Sequence, residues 1–161
     1  MTPGFSGHTM VLLLILQGLL RDRQDFEQPL STTSGPGRTA DSVLVQVRLA
    51  EAAVEVDAAR ELHRHSIREI LEKAERGEEF TQLDRARYRR NRNFAARLCV
   101  QAANRLFEAS GGHAILESEA IQRFHRDANA ASHHQGLSWD AAAEEFGRQA
   151  LGLPPGPGRY G

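Results

Sequence analysis

The sequence predicts an all-α protein, an antiparallel four-helix bundle, on three observations. Apolar residues recur at spacings of three and four over two long stretches, the period of a helix with one buried face. Helix-start and helix-stop residues bracket those stretches and two shorter ones downstream. No stretch of useful length alternates apolar with polar residues as a half-buried strand would. A chain of 161 residues, 40% apolar and 25% charged, holds one modest domain with a real core.

The elements follow in order. Met10 to Leu16 reads MVLLLIL, and the apolar run continues to Leu20 around Gln17 and Gly18. A membrane span needs about 20 apolar residues, so this run is too short. The leader MTPGFSGHT also lacks the basic residues of a signal peptide. A buried or partner-covered helix is expected here, with a processed or membrane-associated leader as the alternative. Residues 31–40, STTSGPGRTA, form a linker, so residues 1–40 stand as an apolar helix plus linker.

Asp41 or Ser42 can cap the first long helix, whose stripe is Val45, Leu49, Ala52, Val56, Ala59, His63, Ile67 and Ile70. It runs to about Arg76, where Gly77 supplies the stop. Thr81 and Asp84 make a capping box for the second helix, which carries Tyr88, Ala95, Leu98, Ala102, Leu106 and Ala109 on one stripe. That helix ends at Ser110-Gly111-Gly112. Ser118 opens a third helix over roughly 119–133, and Ser138 a fourth over roughly 139–151. Gly152, Pro154 and Pro155 end it, leaving residues 155–161 as a tail. The bundle domain is thus residues 41–154.

Composition narrows the function classes. Net charge is −1, so no global field draws the chain to nucleic acid or to an anionic membrane. Cys99 is the only cysteine, which rules out an intrachain disulfide and suits a reducing cytoplasm. Residues 85–92, RARYRRNR, hold five arginines. Acidic neighbours (Glu72, Glu75, Glu78, Glu79, Asp84) favour a solvated or subunit-facing helix face over phosphate or nucleic-acid contact. The histidines lack metal spacing: a helical pair wants i and i+4, whereas His63 and His65 are two apart and His133 and His134 adjacent. His63 falls on the apolar stripe and is expected to be a hydrogen-bonded core or interface residue. Gly111-Gly112 permits close approach of a ligand or backbone, and a plain helix stop explains it equally well.

The segments LFEASGG (106–112), RFHRD (123–127) and SWDAAAEEFGRQALGLP (138–154) change the picture. With VQVRLAEAAVEVDAARELH (45–63) and RARYRRNRNFAARL (85–98), they resemble the C-terminal helical domain of acyl-CoA dehydrogenase-like flavoproteins. The likeness is narrower to the two-component, flavin-dependent monooxygenases built on that fold, which hydroxylate phenols and related aromatics. Dehydrogenases of the fold often carry a catalytic glutamate nine residues beyond the arginine. Here that position is Gln135, which cannot abstract a proton near neutral pH. The monooxygenases resemble RDxxxxxxH, and the histidine eight residues beyond Arg126 is His134.

The resemblance implies a reduced flavin, FMN or FAD, delivered by a flavin reductase, and an aromatic small-molecule substrate. In this chemistry reduced flavin and oxygen give a hydroperoxide that transfers oxygen to an electron-rich ring. His134 would act as a base toward a phenolic hydroxyl or as a hydrogen-bonding partner of the hydroperoxide; a histidine titrating near about 6.5 suits either role. Gly111, Gly112 and His113 would approach the flavin of a neighbouring subunit in a tetramer, Arg126 would orient its helix through an ion pair, and His133 carries no role. Relatives place an N-terminal helical domain and a β-barrel before the bundle. The expectation is therefore a fragment of the oxygenase, inactive alone, assembling as a tetramer-like homo-oligomer or with a separate chain that carries the missing domains, unless those domains were lost. The alternatives are an acyl-CoA dehydrogenase-like fragment and a noncatalytic oligomerisation module.

Overall fold

The computed structural model describes residues 41–111 and 120–156. Among the described residues four α-helices form: α1 (Val43–Glu75), α2 (Gln82–Ala109), α3 (Ala120–Ser132) and α4 (Trp139–Ala150). A short 3-10 turn, Gln135–Leu137, joins α3 to α4. Among the described residues there is no strand, and no helix is long and apolar enough to cross a membrane. The apolar run at 10–20, its linker and the proposed cap Ser118 lie outside the described residues.

The helix ends follow from local chemistry. Ser42 occupies the N-cap position of α1, but its side chain makes no capping bond. At the other end Gly77 adopts φ 67°, the left-handed conformation that glycine enters without a Cβ clash. The next amide, Glu78 N–H, then donates back to the Lys73 carbonyl at 2.9 Å. α2 opens with both halves of its capping box made: Thr81 Oγ1 accepts from the Asp84 amide, and Asp84 Oδ2 from the Thr81 amide, each at 3.1 Å.

α2 is the hub, with α1, α3 and α4 each packed on it. The core joins Ala52, Val56 and Ala59 of α1 to Ala95, Cys99, Ala102 and Leu106 of α2 and Ile121 of α3. So many alanines let the helix axes approach closely, toward the short end of the roughly 8–10 Å range. Leu49, expected on the buried stripe of α1, is 45% exposed. It lies about 60° round the helix from Ala52, at the flank of the contact. Val43, Leu44, Val47 and Val54 are exposed as well, so the N-terminal part of α1 carries apolar residues beyond the face that meets α2.

The arginine-rich segment departs from expectation. Instead of forming a solvated or subunit-facing face, Arg87, Arg89, Arg90 and Arg92 are half-buried and reach across to other elements. Arg87 pairs with Glu69 on α1, and Arg89 Nη1 with Glu145 on α4 at 2.7 Å. Arg90 lies 4.0 Å over the Phe146 ring. Long aliphatic stems cover apolar surface while the guanidinium heads find carboxylates, a ring and a carbonyl. The basic run is internal bracing, and its composition alone does not reveal that.

Candidate functional site

The candidate site is the turn between α3 and α4, residues 133–138. α3 ends at Ser132, one residue short of the expected limit, so His133 and His134 follow the helix instead of continuing it. Adjacent in sequence, the two rings hold opposite roles. His133 Nδ1 lies 2.8 Å from the Asn129 carbonyl, an obligatory acceptor, so this nitrogen carries the proton and closes the end of α3. His134 caps the 3-10 turn: the Gly136 amide, an obligatory donor, donates to its Nδ1 at 3.1 Å. The neutral His134 ring therefore carries its proton on Nε2.

Gly136 makes this closeness possible. A Cβ built there would stand 3.3 Å from His134 Nδ1 and 3.5 Å from Cε1. The turn is also fastened to α2. Arg92 Nη2 donates to the Gly136 carbonyl at 2.9 Å, and Asn93 Nδ2 to the Ser138 carbonyl at 2.9 Å. Leu137 is buried with Ala96 between those two anchors. Trp139, at the start of α4, packs on Phe94 with ring centroids 5.2 Å apart. Sequence reasoning did not single out Arg92 or Asn93. The available signal was asparagine inside a basic helix, since Asn93 is 1% exposed and a buried amide needs partners.

The other expected site residues fall as follows. Gly111 is exposed, with φ 68°, directly after the α2 C-cap Ser110, as a helix stop requires. Gly112 and His113 lie outside the described residues, so their relation to His134 is not part of this geometry. Arg126 Nε pairs with its own neighbour Asp127 at 3.3 Å, both side chains largely exposed, and this contact joins no two elements. Gln135 is exposed in the 3-10 turn.

His63 is half-buried, as its place on the stripe suggests, but the expected hydrogen bond is not at Nε2. That atom is buried with no partner among the described residues. Burial first, and the Arg92 charge second, hold its pKa below the ordinary histidine value. A helix stripe places the ring in the interior, and only the neighbouring helix decides whether a partner waits there. Cys99 is buried, its Sγ 3.0 Å from the Ala95 carbonyl, and burial pushes the thiol up to about 12. It is packing, not a nucleophile.

Helices gathered on a central α2 are the architecture that the resemblance to the helical domain of acyl-CoA dehydrogenase-like flavoproteins implies. The family model described as "Acyl-CoA dehydrogenase, C-terminal domain" matches residues 17–139, and the chain belongs to that family. The match begins well upstream of residue 41 and ends at the first residue of α4.

Its relatives are oxygenases. The chain is 35% identical over 134 residues to the oxygenase component of the FADH(2)-dependent resorcinol hydroxylase of Rhizobium sp. (strain MTP-10005), covering 81% of this chain and 32% of that protein. It is 36% identical over 119 residues to the flavin-dependent monooxygenase oxygenase subunit HsaA of Mycobacterium tuberculosis (strain ATCC 25618 / H37Rv), covering 74% of this chain and 30% of the relative. The crystal structure of 3-HSA hydroxylase from Rhodococcus sp. RHA1 superposes with a TM-score of 0.77 at 26% identity, covering 92% of this chain and 38% of the other. The chain spans about a third of the length of the curated relatives it matches.

Proposed function

We propose that this chain is the C-terminal helical part of the oxygenase component of a two-component flavin-dependent monooxygenase, which hydroxylates an aromatic small molecule with reduced flavin and O2. One observation carries the reading: the chain is 35% identical over 134 residues to the oxygenase component of a resorcinol hydroxylase. The turn that holds His134, fastened to the central helix, supports a role for that residue. Gln135, where dehydrogenases of the fold often hold a carboxylate, supports oxygenation over α-proton removal.

The flavin is reduced FAD or FMN, and the FADH(2) in the Rhizobium relative's name favours FAD. Gly111, Gly112 and His113 are its proposed contacts. Gly111 fits such a role: it is exposed, and among the described residues nothing lies within 4 Å of the place a Cβ would take. The C-terminal end of α2 carries partial negative charge, which suits the flavin's N–H edge and not its phosphates. When bound, reduced flavin supplies the electrons that activate O2.

His134 supplies a hydrogen-bond donor. With Nδ1 accepting from the Gly136 amide, the proton of the neutral ring falls on Nε2, and that nitrogen is the proposed donor to an oxygen atom at the reacting centre. This supports the donor role over the base role. A base would need Nε2 unprotonated, and the Gly136 bond favours the opposite tautomer.

The partners are a flavin reductase, an aromatic substrate, further copies of the chain in a tetramer, and the N-terminal helical and β-barrel domains of an oxygenase, in the same polypeptide or in a separate one. The exposed Val43, Leu44, Val47 and Val54 on α1 support self-association. The place of work is the cytoplasm, and neither nucleic acid nor membrane is a partner. Alone, one helical unit cannot exclude water from an activated flavin, so turnover requires the companion domains.

The test is reconstitution. Purified chain, flavin reductase, NADH, FAD and a panel of phenols including resorcinol are assayed with and without a chain carrying the companion domains. Hydroxylated product is expected only in the complete mixture. NADH and oxygen consumption without hydroxylated product in every mixture rejects the reading.

A further inference from the structure

We propose that Arg92 and Asn93 are positioning residues for His134: two consecutive side chains of α2 hold the turn that carries the ring and so fix the backbone donor that its Nδ1 accepts from. The inference rests on the proposed role of His134, and it adds two residues that the family position of the histidine does not identify.

The argument starts from Gly136, which is held from both sides. Its carbonyl accepts from Arg92 Nη2 at 2.9 Å, while its amide donates to His134 Nδ1 at 3.1 Å. Moving the Gly136 backbone therefore moves the donor to Nδ1 and shifts the ring's tautomer balance. Asn93 fixes the other end of the turn through the Ser138 carbonyl, 2.9 Å from Nδ2. Consecutive residues on a helix project about 100° apart, so the pair spans the turn instead of stacking on one point.

The two side chains also brace each other. Arg92 Nε donates to Asn93 Oδ1 at 3.2 Å, which leaves Asn93 Nδ2 committed to Ser138. The amide of Asn93 is thus bonded through both of its polar atoms at 1% exposure. Arg92 serves two acceptors at once, a task for a planar guanidinium fork and not for an ammonium group. Both acceptors are neutral. A half-buried cation placed against a carbonyl and an amide costs more than one placed against a carboxylate, so the arrangement trades stability for a defined turn. Leu137, buried on Ala96, excludes water between the anchors.

The test uses the whole chain, labelled with 15N in its histidine rings and free of flavin. In the parent protein His134 is expected to show an acceptor Nδ1 and a protonated Nε2. Arg92→Met keeps the packing of the stem and removes the donors; Asn93→Ala removes the second anchor. In each, the Nδ1–H share of His134 should rise on the order of threefold, the scale of one weakened hydrogen bond. His125 and His133 should keep their patterns. Arg92→Lys, which keeps one donor for the Gly136 carbonyl and loses the bond to Asn93, should restore only part of the parent signature. Gly136→Ala approaches the same bond from the opposite side, crowding Nδ1, and serves where a change on α2 impairs folding. An unchanged His134 pattern in the folded variants, or a change shared by all histidines, overturns the inference. No flavin enters this measurement, so a confirmed clamp with failed hydroxylation sinks the functional proposal alone.

Discussion

His134 and Asp84 show how single side chains set behaviour here. The proposed role of His134 is donation through Nε2, supported by the Gly136 amide at Nδ1, and glutamine can offer an N–H at nearly the same reach. In a reconstituted oxygenase carrying this chain, His134→Ala should lower product formation by about 100-fold, the cost of removing one preorganised donor. His134→Gln should retain a clear part of it. If His134→Gln is as inactive as His134→Ala, the donor role is wrong and a base is required. Asp84 concerns stability. Lys73, with further bonds from Thr81, holds its carboxyl at about 2, below the ordinary value of 3.8. The folded state therefore binds this proton less readily than the unfolded chain. The stabilisation is complete above about pH 4 and is lost as pH falls through about 2. Thermal melts between pH 5 and 2 should show a shallower acid slope for Asp84→Asn than for the parent. Thr81→Ala, which removes half of the capping box, should cost about 1 kcal/mol at neutral pH.

At the scale of the element, α2 concentrates both packing and function. Its inward face is built from small residues, and Ala102 is 0% exposed within the cluster of Val56, Cys99 and Leu106. Ala102→Leu has no space to enter without parting α1 from α2, and should cost about 1–3 kcal/mol by denaturant titration. Leu106→Ala, which leaves a cavity, should cost about 2–5 kcal/mol. The helices themselves were legible because their evidence is local: a capping box at Thr81, a left-handed Gly77, apolar residues at the helical period. The turn that carries His134 was less so. Its register depends on Arg92 and Asn93, more than forty residues earlier, and on a 3-10 turn whose Gln-Gly-Leu sequence announces no fixed geometry. The arginines misled for a related reason. Composition marks a basic run as solvated, but only the packed helices show which carboxylate, ring or carbonyl each guanidinium meets.

At the scale of the whole molecule, the distribution of apolar surface sets association. Val43, Leu44, Val47 and Val54 are 73%, 63%, 46% and 68% exposed. Val47 and Val54 lie seven residues apart, on nearly one line along α1, on the side away from Ala52 and Val56. The opposite face of the later turns is polar, with Asp57, Glu61, Arg64 and Arg68, so the apolar strip is confined to the part of α1 before Asp57. A helix that is apolar around most of its circumference needs cover on both sides. Self-association along this strip is part of the functional proposal, and two charges test it. Sedimentation of the parent chain at tens of micromolar should show assembly beyond the monomer. Val47→Glu combined with Val54→Glu should shift it to monomer. The melting temperature of the dissociated variant should stay within a few degrees of the parent monomer's, because neither side chain contributes to the buried core. A parent that sediments as a monomer at every concentration removes the tetramer from the proposal and leaves the chemistry at His134 untouched. If the double variant assembles as the parent does, the interface lies elsewhere and the strip has another use.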